Sequence, residues 1–223
     1  MKLKLLINAC CKFLSGILLV ALLLFAPAGT WHYPNAWLFI VLLFVPMLIL
    51  GAVLWLKAPD LLAKRLNNKE KEAKQKGVIA WSGLLFVVGF VVAALDYRFG
   101  WSQVPMWVSY IAAVILLIGY GLYAEVMREN AYLSRTVEVQ ENQKVVDTGL
   151  YGIVRHPMYA ASILLFLAIP VVLGSVFSLM IFLVYPLLIV ARISNEETVL
   201  EQGLEGYSAY KKRVKYRLIP FIW

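Results

Sequence analysis

The sequence predicts an all-α, polytopic membrane protein with about six transmembrane helices. Three observations carry this. Of 223 residues, 62% are hydrophobic and 15% charged, whereas a soluble domain carries about 25% charged residues. Apolar runs long enough to cross a bilayer recur along the whole chain, separated by polar loops. Finally, all but one of the 21 lysines and arginines fall in alternate inter-helix segments, the exception being Arg98. The positive-inside rule then places both termini in the cytoplasm, in a multi-pass protein of the cell membrane. The net charge of +8 is read as a basic, headgroup-facing surface. Its residues lie in loops between apolar runs, so membrane lipids are the expected partner and nucleic acid is not.

The first span runs from Leu3, most apolar from Phe13 to Ala26, and is read as a retained helix. Ala26-Pro27-Ala28 also has the form of a signal-peptidase site, and its use would leave the remaining topology unchanged. Cys10 and Cys11 are adjacent, which is neither a redox nor a zinc spacing, and are read as helix filling, with palmitoylation as the alternative. Trp31-His32-Tyr33-Pro34 reads as an aromatic turn at the interface. The second span is Ala36 to Leu56. Lys57 to Lys76, with KEKEAKQK at its centre, is expected to be a solvated basic helix against anionic headgroups. Val78 to Leu95 and Met106 to Tyr123 are the third and fourth spans, with Gly119 and Gly121 read chiefly as packing positions. Met158 to Gly174 and Val176 to Ile193 are the fifth and sixth. At about 1.5 Å per residue, each only just reaches across about 30 Å of hydrocarbon.

Two polar clusters flank this last hairpin: Gln143 to Tyr159 (QKVVDTGLYGIVRHPMY) before it and Arg192 to Glu197 (RISNEE) after it. A hairpin returns both to one membrane face. Of the 13 acidic residues, Asp96 alone falls on the outer side, so chemistry that needs charge belongs at the cytoplasmic one. Pro157 suits the first turn of a helix, and it holds His156 in an extended or turn conformation. Arg155 and His156 therefore sit at the positive end of a helix dipole, a place suited to an anion such as a carboxylate, or to simple headgroup anchoring. Glu196 and Glu197 oppose the dipole at the other helix end and call for a cationic neighbour, which is a ligand or Arg192 four residues earlier. Tyr207, Tyr210 and Tyr216, alternating with Lys and Arg, read as an interfacial amphipathic segment. His32 and His156 lie far apart without metal-ligand spacing, so no metal is expected.

GLYGIVRHPMY, two short helices, and then RISNEETVLEQGLEGYSAYKKRVKYRLIPFI resemble the isoprenylcysteine carboxyl methyltransferase family. The shared pattern is G-x-Y-x-x-x-R-H-P-x-Y, R-x-x-x-E-E and a terminal Y-x-x-Y with I-P-F-I, covering Gln143 to Ile222. The resemblance implies an S-adenosyl-L-methionine-dependent membrane methyltransferase. Its cytosolic cofactor site would be formed by the C-terminal helix hairpin, the preceding loop and the tail. It implies cofactor contacts from Gln143, Lys144, Val145, Val146, Tyr151, His156, Pro157, Met158, Tyr159 and Glu196. Gln143 stands where the family often has histidine. Arg192 takes the place of the arginine that orients the acceptor carboxylate, and Arg155 is the second candidate catalytic residue. Residues 1-123 are then the lipid- and substrate-facing helices and 124-223 the methyltransferase region.

Such chemistry suits these residues. A carboxylate acceptor is already anionic and needs no general base, so alignment, water exclusion and an arginine do the work. The acceptor is expected to be lipidic or prenylated, reaching the site laterally from the bilayer. An amine acceptor, as in a phospholipid N-methyltransferase, would instead need a base, with His156 or Glu197 available. A membrane reductase of related architecture using NADPH is a further alternative, although its 2′-phosphate calls for a denser arginine cluster. A transporter is disfavoured because no span carries a charge in its middle.

Overall fold

The computed structural model describes residues 2–67, 73–134 and 136–223, with Ala73 and Lys74 described in backbone only. Among these residues it is all-helical: α1 (Lys2–Ala28), α2 (Pro34–Lys57), α3 (Pro59–Leu66), α4 (Ala73–Phe99), α5 (Met106–Glu129), α6 (Pro157–Val172), α7 (Val176–Phe182), α8 (Tyr185–Gly203) and α9 (Tyr207–Arg213). Five stretches are long and apolar enough to cross a membrane: α1, α2, α4 from Gln75, α5, and α7 with α8 taken together. The chain is a polytopic membrane protein.

The fifth expected span, α6, is a shorter apolar helix of 16 residues. That is about 24 Å at 1.5 Å per residue, less than the hydrocarbon thickness. The sixth span is not one continuous helix from Val176 to Ile193: it breaks at Leu183–Val184. Pro186, in the first turn of α8, has no N–H to bond the carbonyl of Phe182, and its ring crowds that carbonyl. Beyond Ile193, α8 continues for nearly three turns as a polar helix carrying Glu196, Glu197 and Glu201.

Two poles hold the bundle. At one, Asp96 is buried and accepts from the Ser102 N–H (2.6 Å) and the hydroxyls of Ser102 (2.7 Å) and Ser175. This joins the α4–α5 loop to the α6–α7 turn, so the acidic residue alone on that side is a staple. His32 lies in the α1–α2 turn there, its carbonyl accepting from Tyr97, beside packed Phe25, Trp31 and Trp37. Ala26-Pro27-Ala28 forms the end of α1, with Ala28 buried in the core. At the opposite pole the start of α1, the end of α2, α3, the end of α5 and the start of α6 converge. Lys64 and Arg65 of α3 reach the carbonyls of Ala131 and Ser134. The described part of the expected basic connector is thus a short helix docked on the site loop and, from Ala73, the first turn of α4; residues 68–72, with the first half of KEKEAKQK, lie outside the described residues. Cys10 and Cys11 are exposed on α1.

The core joins α1, α2, α4, α5, α6, α7 and α8. The expectation for Gly119 as a packing position holds: a Cβ there would lie 2.8 Å from Leu165 Cγ, while one at Gly121 meets nothing within 4 Å.

Candidate active site

The hairpin brings the two polar clusters into direct contact. Arg155 Nε donates to Glu197 Oε1 at 2.8 Å, and His156 Nε2 lies 3.2 Å from the same oxygen. Arg217, from the tail, donates to Glu197 Oε2 through Nε (3.2 Å) and Nη2 (3.0 Å). Lys211 Nζ stands 3.6 Å from that oxygen. The anion expected at the mouth of α6 is therefore the protein's own Glu197. Its side chain is 3% exposed and that of Arg155 5%, so desolvation is costly and must be offset by complete hydrogen bonding. Arg155 Nη1 donates to the carbonyls of Val214 and Lys215, both at 2.8 Å. The backbone N–H groups of Arg155 and His156 donate to the Tyr216 and Arg217 carbonyls, both at 2.9 Å. Loop, helix end and tail are one unit.

One helical position away, Glu196 faces the other way. Tyr159 donates its hydroxyl to Glu196, and Arg192 Nε donates to that hydroxyl at 2.8 Å. Tyr159 thus stands between Arg192 and Glu196, where the sequence suggested a simple pair along one helix. The Arg192 guanidinium also lies 5.8 Å from the Tyr159 ring centroid.

The loop before α6 is shaped by Gly149, whose φ of +53° suits glycine, and a Cβ there would fall 1.5 Å from Glu129 Oε1. The Glu129 carboxylate accepts from the Leu150 N–H at 2.9 Å. The 3-10 turn Gly149–Gly152 then presents Tyr151, which accepts from Asn130 Nδ2 at 3.0 Å while its carbonyl accepts from the Tyr210 hydroxyl at 2.8 Å. Burial pushes both tyrosine hydroxyls up, so they remain protonated donors.

Tyr207 and Tyr210 do not form an interfacial amphipathic surface. Both are 4% exposed and pack with Val139, Val145, Leu200, Leu204 and Val214. The tail folds back over the loop, which buries the tyrosine edge of α9 and leaves Lys212 and Arg213 outward.

These elements enclose a cavity of about 490 Å³, within the range of small-molecule sites. Gln143, Lys144, Val145, Val146, Tyr151, His156, Met158, Tyr159 and Glu196 all line it, as do Arg155 and Arg192. Pro157 is buried but is not among the lining residues, its ring serving the first turn of α6. Gln143 Oε1 accepts from the Gln140 N–H at 2.9 Å, bracing the turn that carries it. The sequence did not single out the contributions of Arg65, Tyr123, Asn130, Tyr207 and Tyr210 to the wall. The terminal Y-x-x-Y was visible as a motif, but nothing in its spacing indicated that it faces inward.

The lining is chemically divided. Around the loop, α8 end and α9 it offers carboxylate, amide, hydroxyl and basic groups. Deeper, between α4, α6 and α8, it is built from Val78, Ile79, Phe86, Phe166, Tyr185 and Ile189. Among the described residues, no group of three or more His, Cys, Asp or Glu is placed to hold a metal ion.

A comparison with known families supports a membrane methyltransferase, the class to which the sequence resemblance also points. In particular, residues 107–205 match the phospholipid methyltransferase family, a stretch from the start of α5 to just past α8. No curated protein matches the chain.

Proposed function

We propose that the protein transfers a methyl group from S-adenosyl-L-methionine to the carboxylate of a lipidic or prenylated acceptor at the cytoplasmic membrane face. The observation that carries this is the row Arg192–Tyr159–Glu196, set where the polar half of the cavity meets its apolar half. The polar half fits the cofactor. Glu196 suits its ammonium, Lys144 its carboxylate, and Val145, Val146 and Met158 give flat apolar walls for an adenine. The Tyr207 hydroxyl supports the fit: it is buried, lines the cavity and has no hydrogen-bond partner among the described residues. A ligand with polar edges would satisfy it.

The bound cofactor supplies an electrophilic methyl group. Arg192 holds the acceptor carboxylate by charge-assisted hydrogen bonds, Tyr159 fixes the guanidinium, and the buried loop and tail exclude water. Arg155 is assigned a positioning role, because its Nε and Nη1 are committed to Glu197 and the tail carbonyls. His156 is likewise held against Glu197. On this reading α4 with α6 and α8 shapes the lipid side of the cavity, and the loop before α6, the end of α8 and α9 shape the cofactor side.

The family match favours a second reading, methylation of a phospholipid amine. There Glu196 would pair with the ammonium and accept its proton, while Arg192 would oppose the charge. Labelled methyl transfer in nanodiscs separates the two. A short S-prenylated N-acetylcysteine is expected to accept methyl and phosphatidylethanolamine is not; the reverse preference selects the amine reading.

A further inference from the structure

We infer that three aromatic rings, Phe86 of α4, Phe166 of α6 and Tyr185 of α8, form the closed end of the acceptor tunnel. They would limit the apolar part of the acceptor to a single short chain inserted end-on. The inference rests on the methyl-transfer reading for the identity of the ligand, but on geometry alone for the stop.

Each ring is the deepest residue its helix contributes to the cavity, counted from the polar pole. Phe86 and Phe166 meet edge to face at 4.8 Å, as do Phe166 and Tyr185, and Phe86 and Tyr185 are 6.1 Å apart. Behind Phe86 stands a further ring, Phe182. Phe182 is fully buried, 5.3 Å from Phe86, and lies so close to α4 that a Cβ on Gly89 would be 2.3 Å from its ring. The Tyr185 hydroxyl donates to Ser162 Oγ at 3.2 Å and Ser162 to the Tyr159 carbonyl at 2.9 Å. The floor is thereby tied to the residue that holds Arg192. From Arg192 to Tyr185 is seven residues along α8, about 10 Å at 1.5 Å per residue. An apolar chain starting beside Arg192 therefore meets the rings after about 10 Å.

The test uses the full chain in nanodiscs with N-acetyl-S-alkylcysteines from butyl to hexadecyl and the matching N-methylalkylamines. Thermal stabilisation and labelled methyl transfer are read in the same samples. The expected profile rises with chain length and falls about tenfold once the chain exceeds the slot, as overpacking of a close-packed wall dictates. Phe86→Ala and Phe166→Ala, each adding space at the floor, are expected to move the fall to longer chains. Phe86→Trp should move it to shorter ones. Reading all three keeps the test intact if one variant does not fold. A profile without a fall, or one that stays in place in the folded variants, overturns the inference. A fall in stabilisation without any methyl transfer leaves the stop standing and refutes the methyltransferase reading.

Discussion

Replacing Glu197 with alanine is expected to cost about 3–5 kcal/mol of stability, the penalty for leaving a buried ion pair half-made. The carboxylate is the common acceptor for Arg155, His156 and Arg217, which come from the loop, the start of α6 and the tail. Without it the Arg155 guanidinium, nearly out of contact with water, keeps only its carbonyl partners. Thermal or denaturant unfolding in detergent reads the loss directly. The double variant Glu197→Ala with Arg155→Ala should lose clearly less than the two single losses combined, because the stranded charge is gone. A single-variant loss below about 1 kcal/mol, the worth of an exposed pair, would contradict the assignment of this network as the site's framework.

Arg192→Ala is expected to lower kcat/KM for the acceptor by about 10- to 100-fold, the range for losing a hydrogen bond to a charged group. Arg192→Lys should recover only part of this. Lysine keeps the charge but not the planar fork that can bond both Tyr159 and a carboxylate. Steady-state rates with the acceptor varied separate this from a cofactor defect, since the loss should fall on the acceptor's kcat/KM. Equal rates for Arg192→Ala and the intact protein would remove Arg192 from the site.

Much of this arrangement was legible in the residues. The apolar runs and the alternation of basic loops define the bundle. The RHP turn and the RISNEE segment were readable as partners because a hairpin must return to the face it left. What the sequence could not resolve was which partner each charge takes. Glu196 and Glu197 are neighbours, and a helix turns them about 100° apart. One enters the cavity and the other closes the Arg155 network, a choice set by the tail packing back from Val214 to Arg217. The tail misled for the same reason. Tyr207 and Tyr210 among lysines have the look of a membrane-surface segment until Val139, Val145 and Leu204 supply an apolar seat for them. The break at Leu183–Val184 was signalled by Pro186, whose effect is modest enough in a membrane helix that a continuous span was the simpler expectation. The aromatic floor was invisible, because Phe86, Phe166 and Tyr185 lie on three helices whose relative depth no local pattern encodes.

We propose that the cavity between the RHP loop, the end of α8 and α9 holds S-adenosyl-L-methionine. Calorimetric titration of the cofactor into the purified protein, beside Glu196→Ala, tests it most directly. Saturable binding to the intact protein is expected. Affinity should fall about tenfold or more in Glu196→Ala, as loss of a charge-assisted hydrogen bond requires. Absence of saturable binding to the intact protein, with saturable binding of NADPH in its place, would contradict it.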